Sequence, residues 1–299
     1  MIRNFHELLT AARADGSKTV VAVCAQQDSV LRAVALAQAT GIANAILVGD
    51  RSEIRSVAAR CDVDIASMRV IHEPDTELAA RKAMMLVAEG EAHVAMKGNV
   101  DTATFLRAAL DRELGLRTGK LLSHVAVFDM TSLGRLLLIS DAGVNIAPTL
   151  AEKADIVRNA IYVAHRLGIN TPRVAVLAST ETVNPRIPAN VEAAALAKMA
   201  DRKQITGALV DGPLALDNAI SPEAAGDKGI DSPVAGRADV LILPDIEAGN
   251  VLVKAIVYFV QRPMAGVVVG AKVPLILPSR SDTYESKLDS LALGVVMAS

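Results

Sequence analysis

Tryptophan is absent from this chain, and aromatic residues of all kinds make up only 2% of its 299 residues. A sequence that is still 52% hydrophobic must build its core from Ala, Val, Leu and Ile. That composition suits a layered α/β protein, with β-branched runs as buried parallel strands and Ala/Leu helices over them. It also leaves few rings to stack on bases, which argues against single-strand nucleic-acid binding. An excess of either charge is missing too: 31 basic and 33 acidic residues give a net charge of -2. No global field draws in nucleic acid or anionic lipid, so an anionic substrate must be held by a local site.

Cysteine is scarce. Cys24 and Cys61 form no CxxC spacing, a usage that fits a reducing compartment. Cys24 ends the apolar run Val20-Val21-Ala22-Val23 and reads as a small buried side chain. Long apolar stretches are also lacking. Val251–Val260 and Ala265–Pro278 are interrupted by Lys254 and Lys272 and fall short of the ~18 uninterrupted residues of a membrane span. Met1 to Asp15 carries Phe5, Leu8, Leu9 and Ala12 at helical spacing with charges between, unlike a signal peptide. The expectation is a cytoplasmic protein with no membrane and no nucleic-acid partner.

Several catalytic signatures do not occur. After the first strand candidate stands Cys24-Ala25-Gln26-Gln27-Asp28 rather than GxGxxG. There is no GxxxxGK[ST] and no GxSxG elbow. His6, His72, His93, His124 and His165 show neither HxxxH nor HExxH spacing, so no metal is assigned. Asp227 and Asp231 are four apart, but Gly226, Gly229 and Pro233 argue against a shared helical face.

What is present is an alternation. Strand candidates are Thr19–Val23, Ala45–Val48, Arg69–Ile71, His93–Met96, His124–Phe128, Leu136–Ile139, Arg173–Leu177, Gly207–Val210, Val240–Leu243, Gly266–Val269 and Pro274–Leu277. Between most of them lie helix candidates: Ser29–Thr40, Ser52–Arg60, Asp75–Glu89, Thr102–Asp111, Leu150–Arg166, Ala189–Ala200 and Ala248–Gln261. Asp75 and the Thr149/Glu152 pair stand where helix caps belong. Such an order predicts mostly parallel sheets with helices on both faces. Asp129 to Gly134 is too short for a helix and predicts an antiparallel hairpin, which marks a change of sheet. The expected domains are residues 1–122 with 274–299, and 123–273, the second containing the hairpin and serving dimerisation.

In open parallel sheets ligands bind beyond the carboxyl ends of the strands. Those ends carry Lys97-Gly98-Asn99, Ser140 to Pro148 with Asn145, Asp211-Gly212-Pro213-Leu214, Pro244 to Asn250 with Gly249, and Pro278-Ser279-Arg280-Ser281-Asp282. Each alone reads equally as a turn or a packed helix entry. Ser279-Arg280 is the strongest, because a hydroxyl beside a guanidinium holds a phosphate oxygen through a planar fork of donors.

Taken in order, Met96-Lys97-Gly98, Ser123 to Phe128, Asp141 to Pro148, Asp211 to Leu214 with Asp217, Ile246 to Asn250, Gly270 to Pro274 and Ser279 to Asp282 resemble the phosphate acetyl/butyryltransferase family, more closely its butyryl branch. The resemblance implies two three-layer α/β domains like those of isocitrate and isopropylmalate dehydrogenases, with the active site in a cleft between them, and a homodimer or higher homo-oligomer. It implies the reaction acyl-CoA + phosphate = acyl phosphate + CoA by direct attack, with acetyl or butyryl as the acyl group and coenzyme A as a substrate rather than a cofactor. By resemblance Ser279 donates to the developing oxyanion and Arg280 holds phosphate. Lys97, Gly98, Asn145, Asp211, Gly249 and Asn250 are the candidate substrate contacts, Asn250 acting with the helix amides after Gly249. The base is left between Asp282 and Glu285, since Ser286 falls where the acetyl branch carries its carboxylate.

Two rivals stand beside this reading. A metal- and NAD-dependent decarboxylating dehydrogenase on the same fold needs clustered aspartates and a Lys/Tyr pair, and only Tyr162, Tyr258 and Tyr284 are present. A non-catalytic protein binding CoA or acyl phosphate has no need of Ser279, Arg280 and Lys97 together.

Overall fold

The computed structural model describes residues 1–14, 18–130 and 132–298. Asp15, Thr131 and Ser299, which fall in segments discussed above, lie outside the described residues. In chain order the elements are α1 (Phe5–Ala14), β1 (Thr19–Val23), α2 (Asp28–Ala39), β2 (Asn44–Gly49), α3 (Arg51–Arg60), β3 (Arg69–His72), α4 (Thr76–Ala88), β4 (Val94–Lys97) and α5 (Thr102–Ala109). Next come β5 (Ser123–Met130), β6 (Arg135–Ser140), α6 (Leu150–Arg166), β7 (Arg173–Leu177), α7 (Pro188–Asp201), β8 (Leu209–Leu214), α8 (Leu216–Ile220), α9 (Pro222–Asp227), β9 (Val240–Ile242) and α10 (Ile246–Tyr258). The chain closes with β10 (Met264–Val269), β11 (Leu275–Ile276) and α11 (Tyr284–Ala298).

Two compact units result: a terminal unit of Phe5–Lys120 with Met264–Ser299, and a middle unit of Met1–Asn4 with Leu121–Pro263. In the terminal unit the strands run β3-β2-β1-β4-β11-β10. All neighbours are parallel except β10 and β11, which pair antiparallel at Val268↔Leu275. β1, β4 and β11 therefore end on one edge, with Ala22 opposite Met96 and Met96 opposite Ile276. The strands are buried on both faces, as in Val20 to Val23 and Val94 to Met96, so they read as continuous apolar runs. Helix α4 presents Ala79, Ala80, Ala83, Met84 and Val87 to the core, and Asp75 caps it by accepting from Leu78 N at 2.8 Å. Helix α11 is buried from Lys287 to Met297.

In the middle unit the order is β5-β6-β9-β7-β8. β5 and β6 form the antiparallel hairpin, and the remaining pairs are parallel. The Thr149/Glu152 capping box opens α6 as its spacing predicts. Asp239, buried before β9, accepts from Arg173 N at 2.9 Å and pairs with the guanidinium of Arg135.

Three features differ from expectation. The chain returns to the terminal unit at Met264, not near residue 274, because β10 turns back through Gly270 and pairs with β11. Strand β8 runs on through Asp211-Gly212-Pro213 to Leu214, beyond the end of the strand candidate at Val210. A register shift between Ala175 and Leu177 of β7 accommodates that segment, so Asp211 lies opposite Ala175 within the ladder rather than past the strand end. The short helices α8 and α9 have no counterpart among the helix candidates. The second is started by Pro222 and capped by Ser221, which accepts from Ala224 N at 3.2 Å. It ends at Asp227, leaving Asp231 outside it.

Candidate active site

At the carboxyl edge of the terminal unit, Lys97 ends β4 and Ser279-Arg280 follow β11, the next strand over. Lys97 is 6% exposed. Its Nζ donates to Val100 O at 3.2 Å, and among the described residues no carboxylate lies within ion-pair distance. Burial, and then the positive charge of Arg280, hold its pKa below the ordinary lysine value. The chain can turn here because residue 98 is glycine. A Cβ at Gly98 would stand 2.5 Å from Cys24 O and 2.6 Å from Val23 O. The N–H of Gly98 donates to Val23 O at 2.8 Å, so this residue provides close approach and not a donor for substrate.

After β11 the chain makes a tight turn. The N–H of Ser279 donates to Asp282 Oδ2 at 2.7 Å, and the N–H of Asp282 returns to Ser279 O at 3.2 Å. Ser279 Oγ lies 3.0 Å from Ser281 Oγ. Ser279 and Arg280 are exposed, and among the described residues the Arg280 guanidinium makes no hydrogen bond or ion pair. Glu285 sits in the first turn of α11. Burial pushes its carboxyl up, but its own backbone N–H and the hydroxyls of Tyr284 and Thr283 outweigh that and hold it below the usual value. The edge thus offers an exposed hydroxyl, a free guanidinium fork, a buried ammonium and two carboxylates.

Lys287 was not among the residues singled out from sequence. It is 1% exposed, and its Nζ donates to Ser279 O at 3.0 Å and Asp282 O at 2.7 Å. The sequence did carry a signal: Lys287 shares a helical row with Leu291 and Val295, an apolar stripe where a lysine has no solvent. Cys24, at the end of β1, is buried, and burial followed by the charge of Asp75 pushes its thiol up to about 11. It is an inert packing group at neutral pH.

The remaining candidates lie in the middle unit. There Asp141, following β6, gathers its own loop. Its Oδ1 accepts from the N–H groups of Gly143 and Val144 at 2.7 and 3.0 Å. Its Oδ2 accepts from Asn145 Nδ2 at 2.6 Å, from Asn145 N at 3.2 Å and from His124 N at 3.3 Å. Asp141 stands in a segment singled out from sequence but with no role of its own there, although Asp-x-Gly after a strand is a turn signature. The second hydrogen of Asn145 Nδ2 goes to Leu122 O at 2.8 Å, so both amide donors of Asn145 build the loop. Gly249 packs its backbone on Asp141 O, where a Cβ would collide, and its N–H donates to Asp245 O at 3.1 Å. Since Gly249 is already in the fourth position of α10, the amides after it belong to the helix ladder and offer no anion site. Asn250 is exposed, its Nδ2 3.4 Å from Ala142 O. Asp211 is half-buried and accepts from Gly212 N at 2.8 Å. Among the described residues no three His, Cys, Asp or Glu side chains are grouped as metal ligands, and no helix is long and apolar enough to cross a membrane.

Comparison with known proteins agrees over the full length. The profile of the family described as "Phosphate acetyl/butaryl transferase" matches residues 4–81 and 76–295. A phosphate butyryltransferase of Clostridium acetobutylicum is 46% identical over 298 residues, covering 100% of this chain and 99% of that protein. A phosphate acetyltransferase of Thermotoga maritima is 43% identical over 292 residues, with 98% and 99% coverage. The crystal structure of a branched-chain phosphotransacylase from Enterococcus faecalis V583 superposes with a TM-score of 0.84 at 35% identity, over 94% of this chain and 99% of that one. The fold alone extends to a 4-hydroxythreonine-4-phosphate dehydrogenase from Klebsiella pneumoniae, at a TM-score of 0.58 and 14% identity over 95% and 100% of the two chains. The chain belongs to the phosphate acetyl/butyryltransferase family, and it is a phosphate acyltransferase, exchanging an acyl group between coenzyme A and inorganic phosphate.

Proposed function

We propose that the acyl group is short, butyryl in preference to acetyl, and that Ser279, Arg280, Lys97 and Asp282 carry the reaction. The observation that carries the assignment of Ser279, Arg280 and Lys97 to one site is the register of β4 and β11, which sets Ser279-Arg280 past the end of one strand and Lys97 at the end of its parallel neighbour. Arg280, with no partner among the described residues, presents its planar fork to phosphate oxygens, and Lys97 adds a buried positive charge. Ser279 Oγ donates to the oxyanion that forms when phosphate or the CoA thiolate attacks the acyl carbonyl. A free thiol has a pKa near ~8.5, so a carboxylate suffices to take its proton. Asp282 fits that role better than Glu285: its Oδ2 is held by Ser279 N, which leaves Oδ1 beside the turn that carries Ser279, whereas Glu285 lies outside that turn, in the first turn of α11.

Butyryl preference is supported by the 46% identity to the C. acetobutylicum phosphate butyryltransferase. In the middle unit, Asn250 and Asp211 are the proposed further substrate contacts, while Asn145 and Gly249 act by shaping the Asp141 loop. The proposal includes a cytoplasmic homodimer with the isocitrate/isopropylmalate dehydrogenase-like arrangement. Support for self-association comes from exposed apolar residues on α10 and just past it, where Val251 is 68% and Phe259 88% accessible. Sedimentation velocity reads the dimer directly. The substrate test is phosphate- or arsenate-dependent CoA release across C2 to C5 acyl-CoAs. Highest kcat/KM at C4 is the expected result, and highest kcat/KM at C2 rejects the preference.

A further inference from the structure

We propose that Lys287 is a positioning residue for the reaction, pinning the Ser279–Asp282 turn by its two backbone contacts and placing the Ser279 hydroxyl and the Arg280 guanidinium for attack. This rests on the reading of Ser279 and Arg280 given above.

The turn is exposed and short, and apart from Lys287 it is closed by the Asp282 contacts to Ser279 and the Ser279–Ser281 hydroxyl pair. Lys287 reaches it from beneath, one turn into α11, and binds both ends: the carbonyl of the first residue and that of the last. A side chain that spans a turn in this way holds the two residues between, Arg280 and Ser281, in one arrangement.

The choice of lysine is informative. Both acceptors are neutral carbonyls, and among the described residues no carboxylate lies within ion-pair distance of Nζ. A buried ammonium without a paired carboxylate is unfavourable unless something else uses its charge. Burial pushes the Lys287 pKa down, Asp282 opposes that, and the charge of Lys97 adds to it. Asp282 acts on both lysines and Asp101 on Lys97, but among the described residues neither is within ion-pair distance, and with the unpartnered Arg280 guanidinium this leaves an unmet demand for negative charge at close range. A bound phosphate supplies it. Positioning and charge then serve one end: the turn is held in the geometry that receives the anion, and the anion completes the charge balance of the lysine that holds the turn.

The test compares wild type with Lys287→Met, which keeps the apolar stem and removes the ammonium. Two quantities are measured: steady-state rates with butyryl-CoA and phosphate, and the rise in melting temperature produced by inorganic phosphate alone. Loss of positioning appears in kcat, about 100-fold down, with KM for butyryl-CoA changed less than about threefold, and the phosphate-induced melting shift is lost. A kcat within about threefold of wild type, or a phosphate shift equal to that of wild type, overturns the proposal. Should Lys287→Met not fold, Lys287→Gln, which retains an N–H donor without charge, is judged by the same two thresholds. If wild type itself releases no CoA with phosphate, the Ser279/Arg280 reading fails. The melting shift then still decides whether Lys287 holds an anion-binding turn.

Discussion

The carboxylate of Asp282 accepts a 2.7 Å hydrogen bond from the backbone N–H of Ser279, so the proposed base and the proposed oxyanion donor share one turn. Asp282→Asn separates the two roles, because the amide oxygen still accepts from Ser279 N while the basic charge is gone. The expected result is a fall in kcat of at least ~100-fold with the melting temperature little changed. Glu285→Gln is expected to stay within about threefold of wild type in the same assay. Equal effects of the two substitutions would remove Asp282 from its assigned role.

Gly98 is predicted to be intolerant of any side chain. A Cβ at 2.5 Å from one carbonyl oxygen and 2.6 Å from another forces β1 and β4 apart at the end that holds Lys97. Gly98→Ala should lose about 1–3 kcal/mol in urea unfolding and raise KM for phosphate by displacing Lys97. Wild-type stability together with wild-type KM would show that this close approach is not needed.

Asp141 is predicted to be a stability residue of the middle unit. Its carboxylate satisfies the N–H groups of Gly143, Val144 and Asn145 as well as the Asn145 amide. Asp141→Ala orphans them at once and should cost about 3 kcal/mol or more. Urea titration measures this, and Asp141→Asn, which keeps an acceptor, should fall between the two.

The lysines give pH effects of opposite sign on stability and binding. Lys97 and Lys287 have folded-state pKa values below the ordinary lysine value near ~10.4. Between the folded and unfolded pKa values the unfolded chain binds more protons, so in this window their contribution to stability rises with pH. Phosphate, however, needs the charged ammoniums, so KM for phosphate should climb with pH before an ordinary lysine would deprotonate. Unfolding free energies and KM for phosphate from pH 8 to 10 check both directions.

Much of the fold was legible because buried parallel strands leave continuous apolar runs, and the ends of Thr19–Val23 and Arg173–Leu177 are where those runs stop. What was not legible depended on pairing rather than on local pattern. Gly266–Val269 looks like any other buried strand, and only its antiparallel partner Leu275 assigns it to the terminal unit. Asp211-Gly212-Pro213 carries turn chemistry, yet the ladder with β7 overrides it. At the site, exposed polar residues at strand ends, Ser279 and Arg280, announce themselves. Residues that act on backbone, such as Lys287 beneath the turn and Asp141 within its loop, declare themselves only through the carbonyl and N–H groups they meet.

The most direct measurement is the phosphate-dependent release of CoA from butyryl-CoA by wild type, Ser279→Ala and Arg280→Ala. Wild type should turn over only with phosphate or arsenate present, and each variant should lose at least ~100-fold in kcat/KM, with Arg280→Ala also raising KM for phosphate. Phosphate-dependent turnover by both variants at the wild-type rate would contradict the account.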